Sequence, residues 1–174
     1  MPLKLRSPSQ SAPLAARPAG DDAQWRVAYR EHLDNDATQV DDPGLESRIA
    51  LLQRIPFFAP CAVGQLAALA ATAYPRAVDP GEHLCVEGSD APDLYVIAAG
   101  EADVIIAGRK AAVVGADDVI GERGVILGAT RAATVIAASH MITFAISREL
   151  LQNVLAASPE VLAAMRESVQ QRYS

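Results

Sequence analysis

The spacing of apolar positions changes twice along this chain. Apolar side chains at 45, 49, 52 and 55 recur every three to four residues, the repeat of a helix that buries one stripe. Pro56 stops that helix, because proline disfavours helical geometry in the residue before it. A second, alanine-rich helix is expected over 65–73, ending at Tyr74-Pro75. The period then falls to two. Short apolar runs follow at 83–86, 94–97, 102–106, 111–114, 119–120, 132–137 and 141–146, separated by turn residues at 79–81, 88–90, Gly100, 108–110, Gly115, Gly128 and 139–140. Many short strands between glycine turns predict an antiparallel sandwich or barrel. The helical period then returns. Ser147 is placed to cap a helix reaching 157. Ser158-Pro159-Glu160 supplies an N-cap, a proline at the first helical position and an acid in the first turn. Val161, Leu162, Met165 and Val169 give that last helix one apolar stripe. Helices, then a β-roll, then helices make an α+β chain.

The pattern also divides the chain into regions. Residues 1–24 are rich in proline, alanine and serine, a composition that cannot bury a core, and are expected to form a disordered arm. Residues 25–44 are read as a short helix over 25–33, with Trp25, Ala28, Tyr29 and Leu33 on one face, followed by an acidic linker. The folded domain is expected over 45–174.

One segment breaks the aliphatic monotony. Residues 121–134 read GERGVILGATRAAT. Glu122 to Leu127 suits one or two helical turns between Gly121 and Gly128, and Arg131 is expected to open the next strand. Amides at a helix start attract anions, and Gly121 and Gly124 allow close approach to the backbone. Arg131 adds a planar cation that matches a phosphate. Glu122 offers only acceptors, so it would repel phosphate and suit a hydroxyl. An anion beside a hydroxyl describes a sugar phosphate or a cyclic nucleotide. On these two residues alone, a surface ion pair between Glu122 and Arg131 is the competing reading.

Composition narrows the classes. Hydrophobic residues are 51% and aromatics only 5%, so the core is aliphatic. The net charge of −6 argues against direct nucleic-acid binding, which needs a basic face. Cys61 and Cys85 form no CxxC, and His32, His83 and His140 are scattered, so neither a disulfide framework nor a metal centre is expected. No apolar stretch is long enough for a membrane span, and no secretory leader is evident, which makes the cytoplasm the expected location. No side-chain constellation suggests turnover, and no catalytic residue or cofactor is expected.

The cassette resembles the phosphate-binding segment of the cyclic-nucleotide-binding domain family, the β-roll of catabolite-activator and protein kinase A regulatory-subunit type. That pattern runs Phe-Gly-Glu-Leu-Ala-Leu, then Pro-Arg-x-Ala. This chain has Ile120-Gly121-Glu122-Arg123-Gly124-Val125, then Thr130-Arg131-Ala132-Ala133. Pro80-Gly81-Glu82, Glu87-Gly88-Ser89, Leu94-Tyr95-Val96-Ile97 with Gly100, and Ile55-Pro56-Phe57-Phe58 match further family motifs at its spacing. The resemblance covers about residues 45–173. It implies that Arg131 pairs with the cyclic phosphate and Glu122 accepts from the ribose 2′-hydroxyl. The amides of Gly121, Gly124 and Ala132 would line the phosphate site, and Val86 and Ala133 would pack the base. It also implies a non-catalytic sensor whose C-terminal helices respond to ligand and act on a protein partner.

The departures are Arg123, Thr130 and Gly124, which stand where the family has an apolar residue, proline and alanine. Arg123, inside the cassette, must reach water or an acid. Gly124 is expected to loosen the short helix. These departures keep open a ligand-weak or binding-dead domain used for assembly. Ala132 lacks the hydroxyl that cGMP-preferring members often carry, which tilts the expected ligand to cAMP, with cGMP the other candidate. The short last stripe predicts a monomer or weak homodimer.

Overall fold

The computed structural model describes residues 44–172. The expected arm over 1–24, the helix over 25–33 and the linker after it lie outside the described residues. The described order is α1 (Gly44–Arg54), a 3-10 turn (Pro56–Phe58), α2 (Val63–Thr72), then β1 (Tyr74–Val78), β2 (His83–Cys85), β3 (Asp93–Ala99), β4 (Ala102–Ile106), β5 (Arg109–Val114) and β6 (Val119–Ile120). After these come α3 (Glu122–Leu127), β7 (Thr134–Ala137), β8 (Met141–Ser147), α4 (Arg148–Leu155) and α5 (Pro159–Arg172). The strands form two four-stranded antiparallel sheets, ordered β1-β8-β3-β6 and β2-β7-β4-β5. Antiparallel sheets with flanking helices are the α+β roll expected of the pattern. No helix among the described residues is long and apolar enough to cross a membrane.

Two cores follow from the alternation of side chains along each strand. Between the sheets lie Val78, Leu84, Ile97, Ala102, Ile120, Val135, Ala137, Met141 and Ala145. On the outer face of the first sheet, Leu94, Val96, Phe144 and Ile146 meet the helices through Leu51, Phe57, Phe58, Leu69, Leu151 and Leu155. β3 is therefore buried on both faces, which is why residues 94–97 read as an unbroken apolar run. The stripe of α5 packs into this second core: Met165 and Val169 are buried, and Val161 and Leu162 are partly buried beside them.

Chain punctuation behaves locally as expected. Ser147 accepts from the Leu150 amide at 3.1 Å and caps α4. Gln65 accepts from the Ala62 amide at 2.8 Å and donates to the Ser158 hydroxyl at 2.9 Å, tying the start of α2 to the start of α5. The strand β1 is a difference from the sequence reading, which ended the second helix at Tyr74-Pro75 and placed no strand there. Among the described residues β1 pairs with β8, and a proline is tolerated near the start of a strand, where a missing N–H costs the ladder least.

Candidate functional site

α3 is a six-residue helix hung between two left-handed glycines, Gly121 (φ +93°) and Gly128 (φ +70°), whose amide closes on Gly124. The segment turns out of β6, through α3, and back towards β7. Arg131 does not open a strand as expected. β7 begins at Thr134, and Arg131 lies in the loop before it. Its backbone is clamped there: the Arg131 amide donates to Ser89 O at 2.8 Å, and the Gly88 amide donates to Arg131 O at 2.8 Å. The 86–89 loop is thereby fastened to the cassette return. The Glu87 amide, donating to the Thr134 hydroxyl at 2.9 Å, adds to the fastening.

The side chains are buried, which removes the surface ion pair as a reading. Glu122 is 4% exposed and Arg131 6%. They do not pair with each other. Arg131 Nη2 donates to Asp93 O at 2.7 Å, and its guanidinium lies 5.5 Å from the Tyr95 ring centroid. Its Nε and Nη1 are buried and make no hydrogen bond among the described residues. Burying a cation with open donors is unfavourable without an acceptor, so the arrangement suits an anion. Gly121 makes it possible: a Cβ there would overlap Nη1 of Arg131 and stand 3.0 Å from Asp93 O. Glu122 accepts from Arg172 Nη1 of α5 at 3.0 Å.

The other expected residues fall around this pair. Arg123 is half-buried on α3. Ala132 and Ala133 are half-buried in the loop before β7, and Ala133 O accepts from the Cys85 thiol at 3.5 Å. Val86 is 51% exposed at the end of β2, free to cover a ligand edge. Gly124 corrects the expectation that it loosens the helix. A Cβ on it would overlap the Ala91 Cβ and lie 3.2 Å from Ala129 O, so glycine here is demanded by packing. Arg148 of α4 clamps the same contact, donating from Nη2 to Ala91 O at 3.0 Å and to Gly124 O at 2.8 Å.

Sequence reasoning missed Asp93, Tyr95, Arg148 and Arg172 as parts of this site. Tyr95 sits in a run that reads as plain core, and the arginines sit on helices with no motif of their own. Burial raises the Tyr95 phenol pKa, with Arg76 and Arg131 opposing the rise. Burial likewise raises the Cys85 thiol, against the pull of Arg131. Both groups are neutral in the pH range where an anion would bind.

A family model for the cyclic nucleotide-binding domain matches residues 75–158. A cGMP-dependent protein kinase of Toxoplasma gondii is 35% identical over 94 residues, covering 53% of this chain and 10% of the kinase. The N-terminal domain of a transcriptional regulator from Streptomyces coelicolor is 31% identical, covers 71% of this chain and 91% of that one, and superposes with a TM-score of 0.60. The regulatory subunit of a cAMP-independent protein kinase A from Trypanosoma brucei shares the fold at 24% identity and a TM-score of 0.62, over 72% of this chain and 46% of that one. The chain thus spans a tenth of the kinase relative and about half of the regulatory subunit. The model matched across the roll and the near-complete overlap with the Streptomyces domain agree with the layout of the cassette, and the chain belongs to the cyclic nucleotide-binding domain family.

Proposed function

We propose that this domain is a non-catalytic cyclic-nucleotide sensor. In this reading Arg131 pairs with the cyclic phosphate, Glu122 accepts from the ribose 2′-hydroxyl, and α5 carries the response to a protein partner. The observation that carries it is Arg131 itself, a 94%-buried residue with two guanidinium nitrogens that have no acceptor among the described residues. A cyclic phosphodiester supplies one negative charge and two free oxygens, which match one cation with two open donors. Gly121, Gly124 and Ala132 approach the phosphate through their backbones, and Val86 and Ala133 pack the base. Ala132 offers no hydroxyl to a guanine edge, which favours cAMP over cGMP.

The Arg172–Glu122 contact supplies the output. A ribose hydroxyl arriving at Glu122 meets a carboxylate already held by the last turn of α5, so occupancy and the position of α5 are linked. The same contact favours a second reading, a domain whose ribose acceptor is already satisfied and which serves assembly without ligand.

Calorimetric titration with cAMP and cGMP decides between them. Binding is expected, and Arg131→Ala is expected to weaken it by about 2–4 kcal/mol, the loss of a charge-assisted partner to a desolvated phosphate. No heat and no thermal shift with either nucleotide at millimolar concentration leaves the assembly reading. Unchanged affinity in Arg131→Ala removes the assignment of Arg131.

A further inference from the structure

Among the described residues two arginines are buried, and the nucleotide reading uses only one. Arg76, on β1, is 7% exposed. It faces inward because the strand alternates: Val78, two residues on, is in the core between the sheets, and Arg76 stands opposite the fully buried Thr143. Across β8, Thr143 is also opposite Ile97, while Tyr95 is opposite Ala145, so Arg76 and Tyr95 lie on one inner face with β8 between them. The Arg76 guanidinium lies 5.7 Å from the Tyr95 ring centroid, and the Arg131 guanidinium lies 5.5 Å from the same ring. Both are within the reach of a cation–π contact, about 6 Å.

Arg76 is held from the other end by one carboxylate. Its Nη2 donates to Glu82 Oε1 at 3.2 Å, and Glu82 Oε2 accepts from the Asp79 amide at 3.0 Å. Glu82 is thus locked to the β1–β2 turn, and Arg76 is locked to Glu82. Among the described residues the Arg76 guanidinium makes no other hydrogen bond. An aliphatic residue would fill this inner position without a desolvated charge. Stability by itself does not account for an arginine pointed at a tyrosine.

Arg131 supplies the account. One hydrogen bond, to Asp93 O, does not by itself fix the plane of the guanidinium. The face of Tyr95 is its second constraint, and Tyr95 is in turn held against Arg76. We propose that Arg76 is a positioning residue for the anion site: anchored by Glu82, it fixes the Tyr95 ring, and the ring fixes Arg131 with Nε and Nη1 turned to the ligand phosphate. This rests on Arg131 as the phosphate-binding group.

The test reads Arg131 directly. In ligand-free protein the Arg131 Nε–H is expected to give a sharp nuclear magnetic resonance signal that exchanges slowly with water. Arg76→Met, which keeps the stem and removes the guanidinium, is expected to broaden that signal while the amide spectrum of the helices is unchanged. Where nucleotide binds, its affinity should fall roughly tenfold, the scale of one well-placed cation–π constraint. If Arg76→Met does not fold, Glu82→Gln decides, since it loosens Arg76 without removing it and should broaden the same signal. An unchanged Arg131 signal in the deciding variant overturns the proposal, and so does a broadened signal with unchanged affinity. A wild-type protein that binds neither nucleotide overturns the sensor reading instead, and the ligand-free signal still decides the role of Arg76.

Discussion

Gly124→Ala sets two physical effects against each other, and the structure says which one wins. Within a helix, alanine is favoured over glycine by about 0.5–1 kcal/mol, because glycine loses more backbone freedom on folding. Read from sequence, the substitution should stabilise α3. The structure opposes this, since the new Cβ would overlap the Ala91 Cβ and sit 3.2 Å from Ala129 O and 3.3 Å from Ala91 O. Neither neighbour can withdraw cheaply. Two of the three atoms are backbone, and the Ala91 and Gly124 carbonyls are held together by one nitrogen of Arg148. Overpacking of this kind costs about 1–3 kcal/mol. The net expectation is destabilisation by about 1–2 kcal/mol, a fall of roughly 4–8 °C in Tm for a domain of this size.

The partner swap sharpens the test. Removing the opposing methyl in Ala91→Gly/Gly124→Ala leaves one Cβ in the contact, as in the wild type, on the other side. The double variant should recover to within about 1 kcal/mol of the wild type, giving a favourable coupling of about 1–2 kcal/mol. Chemical denaturation of the four proteins measures the cycle. A Gly124→Ala protein as stable as the wild type, or a cycle with no coupling, would refute the close approach of α3 to the 89–92 loop.

Two further outcomes follow from the same packing. Burial pushes the Cys61 thiol up to about 11; its thiolate is therefore scarce at pH 8, and iodoacetamide labelling should accelerate about tenfold per pH unit until the pH passes the thiol pKa, whereas a rate that levels off near pH 9 would mean a solvated thiol. Arg172→Ala removes the bond from α5 to the 4%-exposed Glu122 and should raise amide exchange in the last turns of α5 while costing about 1–2 kcal/mol, less than a fully buried pair because Arg172 is half exposed; unchanged exchange in α5 would show that the apolar stripe alone holds the helix.

Much of the architecture was legible because it rests on local rules. The switch from a period of three or four to a period of two, the glycine turns, and the Ser147 and Ser158-Pro159 helix starts place nearly every element within a few residues. The cassette was legible for the same reason: Gly121 and Gly128 bracket a helix too short for an apolar stripe, and Glu122 and Arg131 are conspicuous charges in an aliphatic stretch. What stayed hidden depends on partners distant in sequence. β1 was missed because a proline that ends a helix can also stand near the start of a strand, and only the pairing with β8 shows that Tyr74–Val78 is one. Gly124 reads as a weak helix former until Ala91 is found against it. The sequence left a surface ion pair between Glu122 and Arg131 as a competing reading, and the tertiary structure joins Glu122 to Arg172 and Arg131 to a backbone carbonyl and a tyrosine ring. Arg76 carries no signal at all in the sequence, since whether an arginine on a strand faces water or the core depends on which face the register turns inward. Periodicity is a property of neighbours along the chain, and burial and pairing are properties of what the fold brings together.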